Sequence, residues 1–521
     1  MAPKSTVRRS TTLMVPEILT RVLEFAIAKG EFDCNYIKLY HIFDDIEPSS
    51  DILENFLGDT LQTYLTVCKT WYEIITSTPA LWATFSTVLR FPQPSHIAHM
   101  SSMLDMHFRR SKAVPFTLFF LTIMEGKNGV VNEPLSAALR MLERAFTQQG
   151  HRLETVYLVM SVSETSEDPT QLYDHDQIQR PAGFTVLPVD MPVLKSLDFH
   201  LTFPRSYLDR AFQVKLAPHT HLEYIHIYGE IEISVPNPSL VTATFPNLRN
   251  LSLRTQDTKS FSDAWAIVRG SPNIEVLHLD CQRHHSPLTA EFNSYFDVTS
   301  APAFHSLPRL QSLDVTSGFA ATSLDVLNRV SLPSLTSLKL GNFLFDNHSL
   351  TELATLLVHY PLESFMLEIG TIKDSSYEVA FEAVINSLIS VKRLELIFTV
   401  LIVTNQKPFL EALTNILDQE GPSEAPTLPA LQDLWFIFTV TETSDWHGTL
   451  RNIISIVSIC RRKYPSEFSI HFLITPWSLE GIEIVEHSLL EDTNIRRCIS
   501  KTFEVSVNGK CVECLETRNL T

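Results

Sequence analysis

The chain has 521 residues, 44% of them hydrophobic and 19% charged, and its 41 basic and 59 acidic residues leave a net charge of -18. That balance suits a folded chain with a large core, and it disfavours polyanion binding, which would need a strong local basic stripe that is not found. The 15 glycines in 521 residues are under half of the average usage of about 7%, so phosphate-cradling glycine loops, and the nucleotide enzymes built on them, lose ground.

Seven cysteines (Cys34, Cys68, Cys281, Cys460, Cys498, Cys511 and Cys514) are scattered through the chain with no secretory signal ahead of them, which predicts a reducing compartment, cytoplasmic or nuclear. The longest apolar stretch near the front, residues 116–124, falls well short of the roughly 18 residues of a membrane-spanning helix.

Residues 1–11 carry Lys4, Arg8 and Arg9 without an acid and are expected to be a disordered leader. A helical region is predicted over residues 12–90. In its first piece, residues 13–25, Pro16 suits a first helical turn, and Ile18, Leu19, Val22, Leu23 and Phe25 fall on one side of the helix. In its second piece, residues 61–85, Leu61, Tyr64, Leu65, Cys68, Trp71, Ile74 and Ile75 recur at three and four until Pro79 closes the helix, with Leu81 and Trp82 beyond. So short a segment cannot hide that much apolar surface by itself.

These two pieces resemble an F-box. The resemblance lies in Leu13, Pro16, Glu17, Ile18 and Leu19, then Leu65, Val67-Cys68-Lys69 and Trp71, and finally Thr78-Pro79 with Leu81-Trp82. It implies docking on a Skp-type adaptor, and through it a cullin, with the rest of the chain capturing a protein for ubiquitin transfer. Position by position, it implies that Leu13, Pro16, Ile18, Leu19, Val22, Leu23, Leu65, Val67, Cys68 and Trp71 make or support the adaptor contact. The sequence departs from the family at residues 29–60, where a short turn is usual. Residues 31–60 hold eight acids and one lysine, a local charge of -7, and read as a solvated loop or as an extra interaction element presenting Tyr36, Tyr40 and Phe43.

Residues 91–149 are expected to form a helical and stranded connector. From about 150 to 490 a block recurs in which an apolar residue is followed after two variable positions by a second, and after one more by a third. Most copies have a proline two residues ahead. The blocks are Leu153, Val156, Leu158; Leu194, Leu197, Phe199; Leu222, Ile225, Ile227; Leu248, Leu251, Leu253; and Ile274, Leu277, Leu279. They continue as Leu310, Leu313, Val315; Leu335, Leu338, Leu340; Leu362, Phe365, Leu367; Val391, Leu394, Leu396; and Leu431, Leu434, Phe436. Most steps between first positions lie between 25 and 29 residues. The last two apolar positions share one face of a strand, the proline is expected to end an incoming helix, and helical periodicity lies between blocks at Leu350, Leu353, Leu356, Leu357 and at Phe409, Leu410, Leu413, Ile416, Leu417. Such a unit cannot bury its own apolar face, so neighbours are expected to stack into a parallel-strand solenoid.

This pattern resembles leucine-rich repeats, without the family's asparagine: Thr202, Gln256, Gln282 and Gly318 stand in its place. The predicted fold class is therefore α/β, a small helical F-box-like domain followed by a leucine-rich-repeat-like solenoid, with residues 491–521 as a tail. An ordinary α/β domain of repeated strand-helix units is the alternative.

In each block the residue between the last two apolar positions is expected on the open face of the strands. These are Tyr157, Asp198, His226, Ser252, His278, Asp314, Lys339, Met366, Glu395 and Trp435, with Tyr157, Met366 and Trp435 as candidate anchors for a target protein. No G-x-S-x-G elbow, phosphate loop or H-E-x-x-H helix is found, so no catalysis and no cofactor are expected. Cys511 and Cys514, even with His487 and Cys498, have no zinc-finger spacing and read as tail thiols. His96, His99 and His107, the run Asp174-His175-Asp176, and His284-His285 read as surface residues rather than metal ligands, and Arg461, Arg462 and Lys463 as a basic helix end. Two functions remain: the non-catalytic substrate receptor of a cullin-type ubiquitin ligase, or a repeat scaffold whose N-terminal helices only cap it.

Overall fold

The computed structural model describes residues 65–126, 133–164, 191–202, 212–215, 221–229, 231–234, 245–255, 267–281, 305–317, 324, 327, 330–345, 347–372, 378–398, 406–418, 428–440, 446–464, 469–476, 503–507 and 510–511. The protein is α/β and divides into two compact units, Met1–Asn237 and Pro238–Thr521.

The first unit contains α1 (Lys69–Ser77), a 3-10 turn (Pro79–Trp82), β1 (Thr84–Arg90), α2 (Pro94–Ser111), β2 (Phe116–Gly126), α3 (Glu133–Gln149), β3 (Leu153–Glu164), β4 (Ser196–Thr202), β5 (Phe212–Lys215), β6 (Tyr224–Gly229) and β7 (Ile231–Ser234). Strands β1, β2, β3, β4 and β6 lie side by side in that order, every pair parallel, while β5 and β7 pair separately. Gly229 closes β6 at φ +119, and a Cβ there would fall 1.8 Å from the Leu201 carbonyl oxygen, so β4 and β6 approach as only glycine permits.

The second unit contains β8 (Asn250–Thr255), β9 (Val276–Cys281), β10 (His305–Ser306), β11 (Ser312–Ser317), β12 (Val330–Ser331), β13 (Ser337–Phe345), α4 (Asn347–Leu357), β14 (Ser364–Ile372), α5 (Glu378–Asn386), β15 (Arg393–Phe398), α6 (Gln406–Asp418), β16 (Asp433–Val440), α7 (Trp446–Lys463), β17 (Ser469–Pro476), β18 (Phe503–Val507) and β19 (Lys510–Cys511). Here β8, β9, β11, β13, β14, β15, β16, β17 and β18 form a parallel sheet in sequence order, and β19 turns back antiparallel on β18.

The repeated blocks set the register. Leu251 faces Leu277, Leu277 faces Leu313, Leu313 faces Leu338, and the same position continues through Phe365, Leu394 and Leu434 to Ile470. All three apolar residues of all ten blocks are at most 3% exposed. The predicted helices between blocks are α4 and α6, whose periodic leucines and isoleucines are buried. The sheets reach beyond residues 150–490 at both ends: β1 and β2 precede that range, and β18 with β19 follows it.

In these repeats the proline is the second residue of a tight turn, the position for which its fixed φ is preset; a helical stretch, residues 267–269, runs in ahead of Pro272, whereas short strands precede Pro308 and Pro333. The turns close through Leu194 N–H to Met191 O, Leu248 to Phe245, Ile274 to Ser271, Leu310 to Leu307, Leu335 to Leu332 and Leu431 to Leu428, at 3.1 to 3.3 Å. Beyond each turn one carbonyl accepts two N–H groups of the next repeat. Arg249 O takes Glu275 and Val276, Glu275 O takes Gln311 and Ser312, Gln311 O takes Thr336 and Ser337, and the column runs on to Lys392 O, which takes Gln432 and Asp433. Turn side chains add rungs, from Asn273 Nδ2 to Pro246 O at 2.6 Å and from Ser334 Oγ to Pro308 O at 2.7 Å. These bonds tie neighbouring repeats together without the family's asparagine.

Candidate functional site

Of the residues that the F-box resemblance assigns to an adaptor, Leu13, Pro16, Ile18, Leu19, Val22 and Leu23 lie outside the described residues, as do the whole insert 29–60 and the leader. Leu65, Val67, Cys68 and Trp71 are described, and they do not lie on one unbroken helix. The chain leaves helix at Thr66–Val67, and Cys68 is an extended N-cap (φ -164) from which α1 restarts. The local reason is the β-branched pair Thr66-Val67, whose stiff side chains favour extended backbone.

The break sorts the four residues. Leu65 and Trp71 turn inward, packing with Ile74 and Met106 against the buried cluster Ile75, Leu81 and Trp82. Val67 is 55% and Tyr72 49% exposed, and Cys68 is exposed beside them. Trp82 holds this surface in place: its indole N–H donates to Ile75 O at 2.7 Å, and the Arg110 guanidinium lies 4.2 Å above the ring. Helix α2, started by Pro94 and a reciprocal Gln93–His96 cap, brings His107 edge-on to Trp82 at 5.0 Å and to Phe85 at 5.3 Å.

His107 is thus a half-buried histidine packed against the core rather than a surface one. Burial pulls its pKa down to about 4, against backbone hydrogen bonds at Trp82 and Thr84 and with help from Arg110. An unfolded histidine protonates near pH 6.5, so as pH falls the unfolded chain binds the proton first. The stability this residue contributes is complete above about pH 6.5 and is lost toward pH 4, by up to about 3 kcal/mol. Urea midpoints at pH 7 and pH 4.5 should therefore differ less in a His107→Gln variant than in the parent.

On the sheet face opposite the cores, the residues between the last two apolar positions do form rows. In the first unit the row is Phe119, Tyr157, Asp198 and His226. In the second it is Ser252, His278, Asp314, Lys339, Met366, Glu395 and Trp435, continued by His471 and Glu504. Neighbouring strands lie so close that these side chains cover one another. Asp198 is 2%, Tyr157 7% and Glu395 7% exposed, whereas the others in the prediction are half-buried. Tyr157 is consequently a packing residue: its ring stacks on Phe119 at 4.4 Å and lies in an apolar patch with Leu121 and Val159.

The charged members are paired along the row. His226 Nδ1 is 3.2 Å from Asp198 Oδ1, a contact that becomes an ion pair when the imidazole is protonated. Asp314 Oδ2 is shared by His278 Nδ1 at 2.7 Å and Lys339 Nζ at 3.1 Å. Burial works to raise the Asp314 pKa, but the His278 hydrogen bond and the two neighbouring cations outweigh it and hold the carboxyl below its ordinary value. One row further along, Arg254 Nε sits 3.1 Å from Asp280, whose pKa burial nevertheless raises. Toward the other end the Arg393 guanidinium caps Trp435 at 4.9 Å, and the Trp435 ring stacks on His471 at 3.9 Å. The sequence pattern passes over His471 because Glu467 stands where the block expects its first apolar residue, ahead of Ile470 and Phe472.

Among the described residues no group of three or more His, Cys, Asp or Glu could hold a metal ion, and no helix is long and apolar enough to cross a membrane. His487, Cys498, Cys514, the 174–176 run and His284-His285 lie outside the described residues. No protein-family model and no curated protein matches the chain.

Proposed function

We propose that this protein is the substrate-recognition subunit of a Skp-cullin-F-box ubiquitin ligase. Its N-terminal helices dock on the Skp-type adaptor, and its strand repeats, a leucine-rich-repeat-like solenoid, hold the target by the face that carries Lys339, Met366 and Trp435. The observation that carries this reading is the split around the N-cap of α1. Leu65 and Trp71 anchor the segment inward while Val67 and Cys68, two positions where the F-box resemblance puts adaptor contacts, face solvent with Tyr72 beside them. An exposed aliphatic and aromatic pair on a rigid base is what a docking helix offers a hydrophobic groove. The receptor forms no covalent bond itself and acts by holding the target near the conjugating enzyme.

The test is a binding titration of the full chain against a purified Skp-type adaptor. Val67→Asp is the informative variant, because its side chain is exposed and its loss leaves the core intact, whereas Leu65→Asp would also disturb the packing against Trp82. Parent binding that weakens about tenfold or more in Val67→Asp, with an unchanged melting temperature, is the expected result. A parent that does not bind the adaptor overturns the reading. One observation favours the second function, a capped repeat scaffold: α1 and the 3-10 turn pack through Trp82 and His107 onto Phe85 of the first strand, as a cap on a repeat core does. In that case the Val67→Asp variant changes nothing.

A further inference from the structure

On the helical side of the first unit, the C-terminal halves of α2 and α3 part to leave an open cleft of about 770 Å³. Its floor is made by Leu104, Phe108, Met141 and Ala145, all buried. Its rim carries Arg109, Lys112 and Arg144, with the Gln148 and Gln149 amides beside them. Asp105 is the single acid of the lining, and it is already neutralised: Arg144 Nη2 holds both carboxylate oxygens, at 2.9 and 2.8 Å, and also Ser101 Oγ at 2.7 Å. Arg109 spends only its Nε, in a long 3.4 Å bond to the Asp105 carbonyl. Its Nη groups and the Lys112 ammonium have no ion-pair partner among the described residues. A chain of net charge -18 thus keeps two uncommitted cations at the mouth of one cleft.

The dipole of α2 explains a cation in its last turn. It does not explain the backbone at Lys112, which caps the helix at φ 53. Glycine is the residue that takes such a cap position without steric cost, and a long side chain kept there is a strain with a use elsewhere. Here the use is to stand a lysine at the cleft mouth.

We propose that this cleft binds a soluble small molecule carrying a di- or polyanionic phosphate group. Lys112 and Arg109 take the phosphate, and the glutamine amides donate to its remaining oxygens. The site lies on the opposite side of the first unit's sheet from its row of Phe119, Tyr157, Asp198 and His226.

The probe is inorganic pyrophosphate, titrated calorimetrically into the full chain at low salt. The parent is expected to bind one equivalent, with affinity falling as salt rises, and Lys112→Gly and Arg109→Gln should each weaken it about tenfold or more. Lys112→Gly should at the same time melt no lower than the parent, since it relieves the cap, so loss of binding cannot be put down to misfolding. Parent binding weaker than ~1 mM, or equal binding by both variants, overturns the site. Sedimentation with vesicles of phosphatidic acid in phosphatidylcholine supplies the second arm. Co-sedimentation that pyrophosphate competes away would assign the phosphate to a lipid headgroup and overturn the soluble source.

Discussion

Replacing Trp82 with alanine should cost about 3 to 5 kcal/mol, the usual loss for emptying a fully buried aromatic site. The ring is 1% exposed and joins four neighbours that have little else in common. It satisfies the Ile75 carbonyl at the end of α1, stands under the Arg110 guanidinium, meets His107 edge-on and fills the cluster formed with Ile75 and Leu81. Without it, Ile75, the one buried residue of α1, loses the ring it packs against, so the variant should release α1 before the sheet melts. Hydrogen exchange read by peptide would show this as early exchange over residues 69–82, with β2 and β3 still protected. Uniform exchange across the unit would mean that α1 and the sheet form one cooperative block. Adaptor binding should fall in the same variant, since Val67 and Cys68 would lose their rigid base.

The second large effect is expected at Arg152, a cation only 7% exposed between α2 and the sheet. One guanidinium nitrogen donates to the Phe108 carbonyl at 3.2 Å, another to Ser111 Oγ, and the group lies 5.7 and 5.6 Å from the centres of the Phe108 and Phe116 rings. Burial pulls its pKa below the ordinary arginine value, yet it stays charged at neutral pH. Arg152→Ala removes the donor and opens a cavity, which should cost about 3 kcal/mol. Arg152→Met refills the volume between the two phenylalanines. Ser111 Oγ keeps its acceptor in the His107 carbonyl at 2.7 Å and still reaches the Phe108 carbonyl at 3.3 Å, so the loss should stay within about 1.5 kcal/mol. Chemical denaturation of both variants separates a charge requirement from a packing one. Equal losses would mean that the guanidinium, not its bulk, holds α2 to the strands.

The sequence made the strand register legible because the same three apolar positions must meet the same core in every repeat. Any slip by one residue would turn Leu277 or Leu338 out of it. The two leading strands escaped the pattern for a physical reason. On β1 the last core position of the block is Thr87, 5% exposed, and on β2 Phe116 pairs with Leu153 only two residues ahead of Leu118, so the first spacing of the block is lost. The row opposite the core was also correctly placed by alternation, but its exposure was not. Periodicity says which way Asp198 and Tyr157 point, while the depth of each depends on the size of its neighbours on the adjacent strands. The break at Thr66–Val67 was hidden for a related reason: spacing by three and four is kept across it, and the pattern of apolar residues carries no mark of a single extended N-cap. The α2–α3 cleft had no signal in the sequence at all, since Arg109, Lys112 and Arg144 come together only by tertiary packing.

The column of doubly bonded carbonyls has a consequence for how this chain can change over generations. Arg249, Glu275, Gln311, Thr336, Glu363 and Lys392 each hold the start of the following strand through two N–H groups, whether the next block comes about 25 or about 40 residues later. The ruler of the second unit is therefore written on one edge only. Insertions and deletions between the end of one strand and the next turn leave every rung where it was, and the entropy of a longer excursion grows only slowly with its length. A lineage can lengthen or trim the return segments freely, while a single residue gained or lost between a turn and its strand would break the rungs on either side of that strand. Relatives of this protein should then differ greatly in length and little in the few residues around each rung.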